Sequence, residues 1–106
     1  MHGTVTVVNK KFFRGRFEYI GRGSVFGNPY PVSMGRAECI AAYKVAFDEA
    51  MTRDSLIKRG VMALVERARK GEHLFLACYC APLACHGDVI KAYIERCLKP
   101  VVFPSE

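Results

Sequence analysis

Three cysteines and a histidine crowd into the run Cys78-Tyr-Cys80-Ala-Pro82-Leu-Ala-Cys85-His86, followed at once by Gly87 and Asp88. Thiolates and imidazoles are the side chains that attack electrophiles, move protons at neutral pH and bind soft metals. As a metal set the four donors have an awkward spacing. Cys-x-Cys is tighter than the usual gap between zinc ligands, Cys85 and His86 would have to point the same way, and no second ligand pair lies elsewhere in the chain. If Cys78 and Cys80 lay on one strand they would share a face, and one would simply be core. The expectation is therefore no metal and no cofactor. Cys85 can instead sit at a helix N-terminus, where the dipole and free amides lower a thiol's pKa and attract anions. It is then either a nucleophile, with His86 to share a proton, or a small residue that lets an anionic group reach the helix amides. Asp88, in the first turn of that helix, suits a structural cap.

A second stretch with chemical potential is Ile20-Gly21-Arg22-Gly23-Ser24-Val-Phe-Gly27-Asn28-Pro29-Tyr-Pro31. Three glycines in seven residues, then two prolines, preclude a helix and make a poor central strand. Glycines let backbone amides approach a ligand, and Arg22 and Ser24 add charged donors and a hydroxyl. The stretch reads as a phosphate-cradling loop, although it is neither a dinucleotide-binding glycine motif nor a Walker sequence. Read structurally, it is a rigid turn that packs Phe26 and Tyr30.

The elements that must position these two stretches follow from periodicity. Thr4-Val-Thr-Val-Val8 is a β-branched strand, and Arg16-Phe-Glu-Tyr-Ile20 alternates as a second. A loop or a hairpin end joins them around Phe12, Phe13 and Gly15. Ser33 is the expected N-cap of a helix from Arg36, with Ile40, Tyr43, Phe47 and Met51 facing the core and Cys39 beside them as an inert small hydrophobe. A link over residues 52–60, with Asp54 or Ser55 as cap, leads to an apolar stripe of Val61, Leu64, Val65 and Ala68 that Gly71 stops. The run after Glu72 is a buried strand. Val89, Ile90, Tyr93, Ile94, Cys97 and Leu98 then mark a last helix, ended by Lys99-Pro100. The tail 101–106 is either an edge strand or a surface segment.

Charge narrows the partner class. The formal net charge is +6, and Lys10, Lys11, Arg14, Arg16, Arg22 and Arg36 stand against Glu18 alone in the first 36 residues. Such asymmetry suggests an anionic partner. No apolar run approaches the roughly 20 residues that span a bilayer, the N-terminus lacks a signal-peptide pattern, and five cysteines is an odd count without a secreted framework. The expectation is one cytoplasmic domain over residues 1–106 with reduced thiols and no membrane contact; a homodimer is left open.

Together, Tyr19-Ile20-Gly21-Arg22-Gly23-Ser24 with Gly27-Asn28-Pro29-Tyr30, and Cys78-Tyr79-Cys80-Ala81-Pro82-Leu83-Ala84-Cys85-His86-Gly87-Asp88-Val89-Ile90, resemble the signature blocks of the family called domain of unknown function 4326, which occurs in bacteria and phages. For a phage protein the compartment would be the host cytoplasm. The Cys-His turn is also similar to that of domain of unknown function 488, where an arginine usually follows the histidine in place of Gly87. The resemblance implies a small Rossmann-like fold akin to nucleotide-binding domains, and no established activity. Residue by residue it covers Gly21, Arg22, Ser24, Gly27, Asn28 and Pro29 in the first block, and Cys78, Cys80, Pro82, Cys85, His86 and Asp88 in the second.

The expected fold is α/β, a small Rossmann-like three-layer domain with a mainly parallel sheet and about three helices. The expected function is binding of a nucleotide or nucleotide-derived phosphorylated small molecule. Its pocket would be formed by the Gly-rich loop (Gly21, Arg22, Gly23, Ser24, Gly27, Asn28, Pro29) and the Cys-His turn (Cys78, Cys80, Pro82, Cys85, His86, Gly87, Asp88). Arg22, Ser24 and the loop amides would hold phosphate, the amides near His86 and Gly87 a second anionic group, and Phe26 or Tyr79 would lie against the base. An alternative is a nucleotide-processing hydrolase or glycosidic-bond transferase with Cys85 and His86 as catalytic residues. A third reading is a nucleic-acid-binding module that uses the basic N-terminal third.

Overall fold

A sheet whose middle strand must be apolar on both faces organises the chain. The computed structural model describes residues 2–81 and 83–99. Strand β1 (Val5–Asn9), strand β2 (Glu18–Tyr19) and strand β3 (Leu74–Cys78) form a sheet in the order β1-β3-β2. Both pairings are parallel, with Val5 opposite Leu74, Asn9 opposite Cys78 and Tyr19 opposite Ala77. β3 is flanked on both edges and buries Leu74, Leu76, Ala77 and Cys78, with Phe75 half-buried, which is why Leu74-Phe-Leu-Ala-Cys78 reads as a continuous apolar run.

The β1–β2 connection is a crossover loop, which resolves the choice between loop and hairpin. A hairpin would make β1 and β2 antiparallel neighbours, whereas β3 lies between them. Phe13, in the crossover, stacks on Phe75 of β3 with ring centroids 4.7 Å apart. Leu74, Leu76 and Cys78 point to the opposite face and join the helical core.

Three helices supply that core. Helix α1 (Arg36–Met51) buries Cys39, Tyr43, Phe47 and Ala50. The buried face is turned about one residue from the expected one: Ile40 and Met51 are only half-buried, and Ile40 lines a cavity instead. Ser33 does not cap α1. It lies in a 3-10 turn (Val32–Met34), and Gly35 occupies the N-cap position without a side-chain bond. Helix α2 (Leu56–Arg69) is capped by Ser55, whose hydroxyl accepts from the Lys58 amide at 3.1 Å, and it buries Val61, Leu64, Val65 and Ala68 as periodicity requires. Helix α3 (Gly87–Leu98) buries Ile90 and Ile94. The tail assignment over 101–106 falls outside the described residues. Among those described, no helix is long and apolar enough to cross a membrane.

Two contacts tie strand starts to helices. Arg67 of α2 pairs with Glu18 of β2 and with Glu72 just before β3; the Glu72 carboxylate, with the Glu18 one, drives the guanidinium pKa up, and Arg67 holds the Glu72 carboxyl below its usual range. Phe47 is the largest fully buried side chain and meets Tyr43 at 6.0 Å and Tyr93 at 5.6 Å. Truncating such an aromatic leaves a cavity that its rigid neighbours cannot fill. Phe47→Ala should destabilise the fold by about 3–5 kcal/mol, read as a lower guanidinium midpoint; a loss under about 1 kcal/mol would mean that the α1 face is not packed as described.

Candidate functional site

Because all three strands are parallel, their carboxyl ends emerge at one edge of the sheet, and both candidate stretches leave from that edge. The Gly-rich stretch follows β2 directly. Ile20 continues the ladder, its amide donating to the Ala77 carbonyl at 2.9 Å, and its side chain is fully buried. The loop then folds on itself. The Ser24 amide and hydroxyl both donate to the Gly21 carbonyl, at 3.1 and 2.7 Å, and the Gly27 amide donates to the Ser24 carbonyl at 3.1 Å. A Cβ on Gly27 would stand 2.8 Å from the Gly21 carbonyl oxygen, so glycine is what lets the loop close. These bonds engage the Ser24 and Gly27 amides and the Ser24 hydroxyl within the turn itself, which gives the loop a fixed shape.

Asn28 and Cys39 hold the far side of the loop. The Asn28 side-chain amide donates to the Cys39 sulfur at 3.1 Å, its oxygen accepts from the Tyr30 amide, and the Cys39 thiol donates to the Tyr30 carbonyl at 3.2 Å. Cys39 is buried as expected, yet it also lines the cavity beside Asn28. Phe26 is directed at α2, where a Cβ on Gly60 would stand 2.7 Å from its ring. It is therefore not the aromatic that faces the site.

The Cys-His turn is pinned from three directions. Asn9, at the end of β1, donates to the carbonyls of Tyr79 at 3.2 Å and Ala81 at 3.0 Å. Arg36, the first residue of α1, donates from Nη1 to the Ala84 carbonyl at 2.9 Å. His86 is 7% exposed, and its Nε2–H donates to the Ile20 carbonyl at 2.6 Å, with the Tyr43 ring edge-on at 5.0 Å. The Tyr43 hydroxyl donates in turn to the Phe26 carbonyl at 2.8 Å, and burial raises its pKa far above the usual phenol range. At the start of α3, the Cys85 amide donates to the Asp88 carboxylate at 3.1 Å, as a cap should. The Gly87 amide donates to the Cys85 sulfur at 3.3 Å. A Cβ on Gly87 would come within 2.7 Å of the Ile20 side chain, so glycine there lets α3 begin against the loop. Of the amides assigned to a second anion, that of Gly87 therefore has a protein partner in the Cys85 sulfur.

Between the two stretches lies a cavity of about 330 Å³, lined by Gly21, Arg22, Asn28, Cys78, Cys80, Cys85 and His86 among the expected site residues. Gly23, Ser24, Gly27, Pro29, Gly87 and Asp88 are not on its wall; of these, Ser24, Gly27, Gly87 and Asp88 shape the turns that form it. Pro82 falls outside the described residues. The remaining wall comes from Tyr19, Tyr30, Arg36, Cys39, Ile40 and Tyr79. Tyr19 and Tyr79 meet edge-on at 6.4 Å, and the Lys10 ammonium stands 4.9 Å from the Tyr19 ring centre. Cys80 lies beyond the end of β3, so it does not share a strand face with Cys78.

A family model described as domain of unknown function (DUF4326) matches residues 8–96, a span that includes every cavity-lining residue. The chain belongs to the DUF4326 family. Comparison with curated proteins and with solved structures finds no match.

Sequence reasoning on this DUF4326 chain missed Asn9, Tyr19 and Arg36 as site residues. Asn9 carried one legible signal, an amide side chain closing a β-branched run, where Asn often bonds nearby backbone. Arg36 carried none, because only the packing of α1 brings its guanidinium to Ala84.

The most unusual chemistry at the DUF4326 site is a buried thiol pair. The Cys78 and Cys85 sulfurs are 3.4 Å apart. A hydrogen bond from the Cys85 thiol, aided by the backbone amides of Cys80 and Ala81, outweighs burial and lowers the Cys78 pKa to about 5. The same shared proton, together with burial, pushes Cys85 well above the ordinary thiol range. The folded pair thus keeps one proton where the unfolded chain keeps two, between pH about 5 and the ordinary thiol value of 9.0. Stability relative to a Cys78→Ala, Cys85→Ala double variant should therefore rise with pH across that window, by up to about 1.4 kcal/mol per unit, and fall above it. Urea titrations of both proteins across the window measure this; a difference that does not vary with pH would mean the two thiols titrate independently.

Proposed function

We propose that the cavity binds a nucleotide or a nucleotide-derived phosphorylated small molecule. The observation that carries this reading is the convergence of Arg22 and Arg36 on a cavity whose wall is otherwise largely aromatic and apolar, at the carboxyl edge of a parallel sheet. The two guanidinium groups match an anionic group by charge and by their forked donors. Tyr79, largely exposed at the mouth, and Tyr19 beside it offer ring surface for a base. A volume of about 330 Å³ is at the small end of ligand sites, which suits a compact ligand.

The same geometry favours binding over the alternatives. Cys85 is 3% exposed and shares its proton with Cys78, and the Nε2 of His86 is taken by Ile20, so neither side chain has the open, base-paired arrangement of an activated nucleophile. A nucleic-acid module would use a broad basic surface, whereas the two arginines here line a concavity.

Isothermal titration with nucleoside mono- and diphosphates, cyclic nucleotides and ADP-ribose should show saturable binding to the folded protein for at least one compound. Arg22→Ala, at an exposed position, should then weaken it about tenfold or more without changing thermal stability, as loss of a charge-assisted hydrogen bond does. Absence of any saturable heat across the panel, or binding untouched by Arg22→Ala, would sink the reading. Affinity only for oligonucleotides, falling steeply with salt, would replace it with the nucleic-acid reading.

A further inference from the structure

The turn that reads poorly as a metal motif in sequence brings three thiols to one point. The sulfurs of Cys78, Cys80 and Cys85 all lie within 4.8 Å of one another. Zinc bonded to thiolates at about 2.3 Å in a tetrahedron requires sulfur-to-sulfur distances of about 3.8 Å. The closest pair here, Cys78 and Cys85 at 3.4 Å, is a few tenths of an ångström below that value, and Cys80 is half-buried in the turn that follows the strand. The spacing objection assumed an extended Cys-x-Cys. The chain instead leaves the strand at Cys78, and Asn9 grips the Tyr79 and Ala81 carbonyls so that Cys80 curls back toward the pair.

A second, independent feature is the backbone around the sulfurs. The Gly87 amide donates to the Cys85 sulfur at 3.3 Å. An amide directed at sulfur from two residues further along the chain is the outer-shell support that metal-bound thiolates use, because it spreads the negative charge the ligand carries. Three thiolates around a divalent ion leave a net charge of −1, and Arg22 and Arg36 line the same cavity to offset it. His86 is not a fourth ligand through Nε2, which is bonded to Ile20. All three cysteines line the cavity, so the remaining coordination position of a held ion faces into it.

We propose that Cys78, Cys80 and Cys85 form a three-thiolate zinc site whose fourth position opens into the cavity. Three protein ligands with one open position is the arrangement of zinc sites that polarise a water or a bound oxygen atom, whereas structural sites are closed by four. Uptake forms three S–Zn bonds; the Cys78–Cys85 pair gives up its one shared proton and Cys80 its own, both to solvent, and no oxidation state changes. The proposal goes beyond the nucleotide-binding reading and does not depend on it.

The test uses the whole, reduced chain and metal alone. Zinc should be taken from a chromophoric chelator at one ion per chain, and cobalt(II) in its place should give the intense near-ultraviolet sulfur-to-metal charge-transfer absorption of a thiolate site. Alkylation mapped residue by residue should show Cys78, Cys80 and Cys85 protected at least tenfold by zinc, with Cys97 unprotected as the internal reference. Cys80→Ser, at a half-buried position that should leave the circular dichroism unchanged, should lower zinc affinity at least a hundredfold, beyond the ten- to hundredfold of outer-shell changes. Failure to compete with the chelator, zinc that leaves the three thiols as reactive as before, or affinity unchanged in Cys80→Ser would each overturn the proposal. Because no nucleotide is present, failure of nucleotide binding would leave this result standing, and the reverse also holds.

Discussion

The constraint on which this structure rests is the placement of β3 between two strands that both run parallel to it. Strand β3 is bonded along both edges and packs Leu74, Leu76 and Cys78 on the helices, with half-buried Phe75 beneath Phe13 on the other face, so its residues are apolar and its sequence offers no polar handle until the strand ends. The same placement brings Asn9, Tyr19 and Cys78 out at one edge in adjacent register. Function-bearing loops can then meet there without long excursions, which is the physical reason that parallel sheets collect ligands at their carboxyl ends.

Once the loops share that edge, hydrogen bonds to buried backbone hold them in one geometry. A histidine ring 7% exposed is tolerable only with its N–H satisfied, and the partner it finds, the Ile20 carbonyl, belongs to the opposite loop. Asn9 and Arg36 do the same from β1 and α1. The cavity is thus walled by elements distant in the chain and fastened by side chains that each satisfy carbonyls left over by turns. This also decides which groups remain to meet a ligand. The Ser24, Gly27 and Gly87 amides are taken by their own turns, while two guanidinium groups, tyrosine rings and the thiols line the space.

The buried Cys78–Cys85 thiol pair lies at the cavity wall. Thiols packed among apolar side chains behave as small hydrophobes, but two of them 3.4 Å apart with amides directed at their sulfurs favour an ionised form that burial alone opposes.

Much of this was legible in the sequence, and the boundary has a physical reason. Periodicity and cap residues indicated the α/β class, the helices beginning near 36 and 87, the apolar stripe of α2 and the burial of β3, because those features follow from local propensity and from burial of one face; α2 itself begins at Leu56, inside the stretch 52–60 read as a link. The two blocks, too, identified most of the cavity wall, since unusual residue types on loops are what a sequence displays best. Only the tertiary structure decided that β2 joins the far side of β3, that the Ser24 hydroxyl serves its own turn, that Phe26 packs on Gly60 while Tyr79 faces the site, that Arg36 reaches Ala84, and that Cys80 curls back to meet Cys78 and Cys85. Each of these depends on which partner a group finds once the chain has folded, in most cases across tens of residues. Spacing along the chain carries no information about that, whereas packing fixes it to within an ångström.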